Sequence, residues 1–128
     1  MRVLLDTHTL LWLLDGSLRL PPRALSVLRD PNTEPVISLV TPWELSIKCG
    51  VGKLDVADLL DGFETRLATA GYTVIETTVG QVIRSGLLPF FHRDPFDRLL
   101  AAQSIDLDIP LITGDPVFER YGVRRIWA

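Results

Sequence analysis

The sequence predicts an α/β fold built on a mostly parallel sheet of about five strands flanked by helices. Three observations lead there. Short aliphatic runs, such as Arg2-Val3-Leu4-Leu5 and Pro35-Val36-Ile37-Ser38-Leu39-Val40, read as strands buried on both faces. Stretches with helical spacing alternate with them. Capping residues, prolines and glycines punctuate the joins. The chain has 128 residues, 47% of them hydrophobic, which fits one domain with a sizeable core.

The first run ends at Asp6-Thr7-His8-Thr9, so Asp6 falls at the carboxyl end of a strand. Leu10, Leu13 and Leu14 then share a helix face until Asp15-Gly16 stops it. Pro21-Pro22 opens a second helix through Arg29, closed by Asp30-Pro31-Asn32. The second strand covers residues 35–40. Thr41-Pro42-Trp43-Glu44 follows with the S/T-x-x-E form of a capping box, which predicts a helix capped by Thr41 and ending at Gly50. Residues 55–70 predict one amphipathic helix carrying Leu59, Leu60, Phe63 and Leu67, with Gly62 as its weak point. Tyr72–Glu76 is the third strand, and Thr77 or Thr78 caps a helix over 79–88. Pro89-Phe90-Phe91 connects to the stretch His92-Arg93-Asp94-Pro95-Phe96-Asp97-Arg98-Leu99-Leu100-Ala101-Ala102-Gln103. There Asp94 suits the N-cap, Pro95 the first helical position and Asp97 the first turn. A fourth strand, 109–113, ends at Gly114-Asp115-Pro116. A short helix, 116–120, leads to a last strand, 123–127.

A net charge of -3 argues against binding nucleic acid through sheer positive charge, but leaves open an approach through a metal ion. Cys49 is the only cysteine, which excludes an intrachain disulfide or a cysteine zinc site and fits a reducing compartment. The apolar run Leu10 to Leu14 is too short to span a bilayer. No basic segment followed by a cleavable apolar one is present, so a cytoplasmic protein is expected.

In parallel α/β folds the functional crevice lies beyond the carboxyl ends of the strands, where the strand order reverses. Asp6, Glu44 and Asp115 each follow a strand. Asp97 lies near the start of the helix that feeds strand four, although that helix follows another helix. Each acid also has a plainer role, as a turn residue or a cap. Gathering all four is unfavourable. A like-charge pair about 4 Å apart costs about 1 kcal/mol in water and about 4 kcal/mol at an effective dielectric near 20. A shared cation removes that repulsion, and an all-oxygen donor set selects Mg²⁺ or Mn²⁺. Such an ion supports phosphodiester hydrolysis without a nucleophilic side chain. Serine or cysteine catalysis needs a paired histidine, whereas only His8 and His92 are available and Cys49 lies inside a predicted helix.

Four stretches, in order, resemble the PIN domain family, and within it the VapC-type toxins of bacterial toxin–antitoxin pairs. They are Leu4-Leu5-Asp6-Thr7-His8, Trp43-Glu44-Leu45-Ser46-Ile47-Lys48 with Gly52-Lys53-Leu54, the run from His92 to Gln103, and Thr113-Gly114-Asp115. The resemblance implies a three-layer sandwich and a Mg²⁺-dependent endoribonuclease, with Mn²⁺ able to substitute. It also implies a single-stranded or looped RNA substrate, a small antitoxin partner, and a homodimer within a larger complex. Asp6, Glu44 and Asp97 match the core acidic triad and Asp115 the fourth acid, so these four become the implied catalytic and metal-binding residues. A further acid expected two residues beyond Asp115 is replaced by Val117, which weakens any second metal site.

Thr7 matches the hydroxyl beside the first acid, and Thr113 lies next to the fourth. His8, Lys48, Lys53, Arg93 and Arg98 are candidate phosphate contacts, set against a plain role as surface cations. Asp94 reads more simply as a cap than as a ligand. Trp12, Trp43 and Trp127 read as core or interface. The Leu59, Leu60 and Phe63 face either packs inward or forms part of an antitoxin groove. Two other readings stay open: a degenerate module that binds RNA or protein without cutting, and a receiver-type signalling domain. The second would want paired acids after strand one and a lysine after the last strand, and this chain has neither.

Overall fold

Five strands lie in the order β3-β2-β1-β4-β5 in the computed structural model, which describes residues 1–128. They are β1 (Arg2–Leu5), β2 (Glu34–Ser38), β3 (Thr73–Ile75), β4 (Leu111–Ile112) and β5 (Arg125–Ile126). Every pairing is parallel. The chain winds outward from β1 to β3, then returns to place β4 on the other side of β1. The order therefore reverses between β1 and β4, and a crevice is expected beyond their carboxyl ends.

Strand side chains alternate between the two faces. Leu4, Val36 and Leu111 join one apolar cluster, with Leu99, Leu100 and Phe118. Val3, Leu5, Ile37 and Ile112 join the other, with Leu10, Ala24, Leu45, Phe63 and Leu67. Helices thus cover both faces of the sheet, in three layers. They are α1 (Thr7–Leu14), α2 (Pro22–Arg29), α3 (Val40–Gly50), α4 (Ala57–Leu60), α5 (Phe63–Thr69), α6 (Val79–Leu87) and α7 (Pro95–Leu107), with a 3-10 helix at Pro116–Tyr121. No helix is long and apolar enough to cross a membrane.

The last two strands are shorter than expected, Leu111–Ile112 for 109–113 and Arg125–Ile126 for 123–127, and two further elements differ. The helix expected over 55–70 is divided into α4 and α5, because Gly62 adopts a left-handed conformation (φ 64°) between them. The Thr41 capping box does not form. The second strand ends at Ser38 rather than residue 40, and α3 begins at Val40, whose N–H donates to Ser38 Oγ (3.1 Å). That shift carries Glu44 past the capping position and frees its carboxylate for other partners. Of the two expected caps, Thr77 or Thr78, it is Thr78 that caps α6, and Gln81 completes a capping box that the sequence reading did not include.

The α6–α7 pair explains how a helix preceded by a helix starts at the functional edge. The two run antiparallel. Gln81, near the start of α6, donates to Asp106 and accepts from Gln103, late in α7. Arg98, early in α7, donates to the carbonyls of Gly86 and Leu88 at the end of α6. The connector Leu88–Arg93 then feeds directly into the α7 N-terminus. Ser38 at the end of β2 donates to Gln103, which ties α7 to the sheet.

Arg98 is the anchor of this arrangement. It is 5% exposed and also donates to the carbonyls of Pro89 (2.9 Å) and His92, with Phe90 packed against its guanidinium. The phosphate-contact role considered for Arg98 is therefore corrected: it neutralises orphan carbonyls at a helix C-terminus. Replacing it would leave those carbonyls without a donor. Arg98→Met is expected to lower the unfolding free energy by about 3 kcal/mol in urea titrations. A change below about 0.5 kcal/mol would contradict the anchoring role.

Candidate active site

Asp6 is delivered by β1 and caps α1, its Oδ1 accepting from the Thr9 N–H (2.8 Å). Its Oδ2 accepts from the Thr113 hydroxyl at the end of β4. Thr113 in turn accepts from the Asp115 N–H (3.1 Å). The two strands flanking the switch point are thereby linked through their acids. Asp115 caps the 3-10 helix, accepting from the Val117 N–H (2.9 Å), and its Oδ2 accepts from His92 Nε2 (2.7 Å).

Glu44 comes from α3 and is 4% exposed. It accepts from the Thr7 hydroxyl (2.6 Å) and from Lys48 Nζ (2.5 Å), one helical turn away. Thr41, freed from capping, lies 3.4 Å from Thr7. Asp94 caps α7 through the Phe96 N–H (2.8 Å), as expected, and Asp97 stands in the first turn behind it.

These residues meet. A cavity of about 260 Å³ is lined by Asp6, Thr7, His8, Glu44, Lys48, Asp94, Asp97, Asp115 and Phe118. All four acids singled out from the sequence are in it, together with Thr7, His8, Lys48 and Asp94. Arg93 and Lys53 are exposed and do not line it. Thr113 touches the cluster from behind, through Asp6. Leu59 and Leu60 are half-buried and Phe63 buried against the core, so that face packs inward, while Leu59 also borders a surface groove.

The sequence reading missed His92 as a site residue. Its imidazole is 8% exposed, stacked on Tyr121 (centroids 5.6 Å) and packed on Phe118 (4.5 Å), which aims Nε2 at Asp115. Its backbone N–H donates to the Tyr121 hydroxyl (2.7 Å). No local pattern marks this residue, because its partners lie 23 to 29 positions away.

The electrostatics follow from the crowding. Burial and then the charge of Asp94 push the Asp97 carboxyl up to about 7; His92 pulls the other way, and Glu44 and Asp6 add smaller upward pushes. Burial alone would lower the Lys48 ammonium. The hydrogen bond and charge of Glu44 outweigh it, with help from Asp94 and Asp97, and the net direction is upward. Lys48 is thus the internal cation of the site. No three His, Cys, Asp or Glu side chains converge closely enough to hold an ion in this arrangement. Their oxygens are turned to Thr9, Thr113, Thr7, Lys48 and His92 instead. The donor set still suits a hard cation: all oxygen, negatively charged, and incompletely compensated at Asp97.

The raised Asp97 value sets a pH dependence. A carboxyl that holds its proton more tightly when folded stabilises the fold at low pH, and that contribution is lost as pH rises through the folded value near 7. Metal-free protein is therefore expected to lose thermal stability as pH rises from about 4 to about 7. Each pH unit between the ordinary and raised values corresponds to about 1.4 kcal/mol, and water at the cavity mouth screens part of it. Asp97→Asn should flatten this slope and stabilise the protein at pH 8 by about 2 kcal/mol, read from melting curves. Parallel curves for parent and variant would contradict the crowding.

No curated protein sequence matches the chain. Solved structures do match it in fold. VapBC2 from Rickettsia felis, bound to a DNA fragment from its promoter, gives a TM-score of 0.70 at 18% identity, covering 98% of this chain and 97% of that one. VapBC-1 from nontypeable Haemophilus influenzae gives 0.68 at 20% identity, covering 98% and 96%. A toxin–antitoxin complex from Klebsiella pneumoniae gives 0.59 at 23% identity, covering 90% and 93%. The switch-point cavity, the parallel five-stranded sheet and a match to the PIN domain family model over residues 3–124 agree, and the chain belongs to the PIN domain family.

Proposed function

We propose that this PIN domain is a metal-dependent endoribonuclease and the toxin half of a toxin–antitoxin pair. One observation carries the catalytic part: Asp6, Glu44, Asp97 and Asp115, spread over more than 100 residues of chain, line one cavity at the sheet's switch point. These four carboxylates would hold Mg²⁺, or Mn²⁺ in its place. The bound ion would lower the pKa of a water and offset charge on the scissile phosphate.

The chain's own residues prepare that site. Thr113 and the Thr9 N–H orient Asp6, and His92 orients Asp115. Thr7 holds one oxygen of Glu44 while Lys48 balances the other. The Lys48 side chain, long and only partly buried, can leave Glu44 when a stronger cation arrives. Freed, its ammonium stands at the cavity edge as a phosphate contact. His8 lines the same cavity from an exposed position, which suits contact with RNA.

The antitoxin part is supported by the toxin–antitoxin and VapBC structures that share the fold. It is also supported by a groove of about 440 Å³ lined by Leu11, Leu14, Leu54, Val56 and Leu59 and edged by Asp15, Asp55 and Asp58. Apolar residues at that spacing suit the apolar face of a helical segment carrying basic flanks. Exposed Trp43, Val79, Val82, Ile83 and Leu87 on α3 and α6 suit a homodimer contact. A cytoplasmic site of action agrees with an RNA substrate.

Purified protein incubated with total cellular RNA and Mg²⁺ is expected to release discrete fragments whose ends can be sequenced. EDTA should abolish them, and Asp6→Asn or Asp97→Asn should reduce cleavage by about 100-fold or more. Cleavage that persists in EDTA, or in both variants, would overturn the assignment. A folded protein that binds RNA yet never cuts it would favour the degenerate binding module.

A further inference from the structure

Beside the acidic cavity lies a larger one of about 630 Å³ that the proposed chemistry does not use. Asp6, His8 and Asp115 line both, so the two adjoin. The added walls are Trp12, Trp127 and Arg19. The His8, Trp12 and Trp127 rings form a row, with successive centroids 5.9 Å apart and tilted by 53° and 47°. The Arg19 guanidinium lies 5.5 Å from the Trp12 ring centre. We infer that this second cavity is a nucleobase subsite, in which an unpaired base next to the scissile phosphate stacks on Trp12 or Trp127. The inference rests on the ribonuclease reading and extends it by giving one base of the substrate strand a binding place beside the acids.

Four features favour a nucleotide over other occupants. The row offers flat π-faces to a pocket open to solvent, and a base stacks on such a face whatever its identity. The neighbouring rings are tilted rather than parallel, so they form no slot between two parallel faces. A positive group already sits over Trp12 and partly offsets Asp6 and Asp115 in the same wall, which gives the phosphate of a bound nucleotide one cationic partner. The backbone is also shaped for Trp127: a Cβ at Gly114 would lie 3.0 Å from its ring, so only glycine leaves the indole where it is. Trp12 and Trp127 are both half-buried beside the acids, and Trp127 also packs against the apolar core, as expected from the sequence.

The test uses metal-free protein and reads binding, so it does not depend on cleavage. The three tryptophan indole N–H resonances are followed by NMR during titration with AMP, CMP, GMP or UMP, and with ribose 5-phosphate as the base-free probe. Trp43 is the internal control, since it packs on Phe96 and lines a separate cavity. All four nucleotides should shift the Trp12 and Trp127 resonances while Trp43 stays put, and ribose 5-phosphate should leave all three unmoved. Trp12→Leu should weaken the response at Trp127 about tenfold. Arg19→Gln, at an exposed position, should weaken it severalfold. Equal shifts from ribose 5-phosphate, movement of Trp43 alongside the others, or no shift at saturating nucleotide would each overturn the subsite. So would an arginine-rich peptide that moves the same two indoles at lower concentration than any nucleotide. A silent titration beside intact RNA cleavage would remove the subsite alone. Nucleotide binding without cleavage would remove the nuclease reading and leave the subsite standing.

Discussion

Mutual repulsion among carboxylates held at one edge of a parallel sheet is the constraint on which the rest of this structure depends. Asp6 and Asp115 follow the two strands that flank the switch point, and Glu44 and Asp97 lean in from α3 and α7. Two compensations make the crowding tolerable without an ion. Neutral donors, the hydroxyls of Thr7 and Thr113 and the N–H of Thr9, take up oxygens of Glu44 and Asp6. Lys48 supplies a charge to Glu44. Asp97 is left carrying the residue of the repulsion, and its raised pKa records it. Strain of this kind is what a binding site keeps when stability alone would have removed it.

The scaffold is arranged to hold that edge rigid. The alternating strand residues fill two cores, so neither face of the sheet can slip without exposing apolar area. The antiparallel α6–α7 pair brings the α7 N-terminus to the edge, and buried Arg98 fixes the turn between them. His92, in the same connector, reaches Asp115. A single short segment between two helices therefore positions acids from two distant parts of the chain.

Most of the fold was legible in the sequence because its signals are local. Apolar strand runs, the Asp94-Pro95 cap and start, and the threonine cap before α6 each depend on neighbours within a few residues. Asp6, Asp97 and Asp115 were legible for the same reason, each beside a strand end or helix start, whereas Glu44 lies further on, inside α3. What could not be read depends on tertiary partners. Thr41-Pro42-Trp43-Glu44 has the form of a capping box, but Ser38 starts α3 earlier and Thr7 claims Glu44. Arg98 looks like any basic residue until the carbonyls around it are seen. His92 gains its role only from Tyr121, Phe118 and Asp115.

Sharing of one ion among these carboxylates is the central claim, and it can be seen directly. Crystals grown or soaked with Mn²⁺ should show an anomalous scattering peak in the cavity, within about 2.1 Å of oxygens from at least two of Asp6, Glu44, Asp97 and Asp115, with Lys48 displaced from Glu44. A fully soaked crystal with no peak in that cavity, and the Lys48–Glu44 pair intact, would contradict the account.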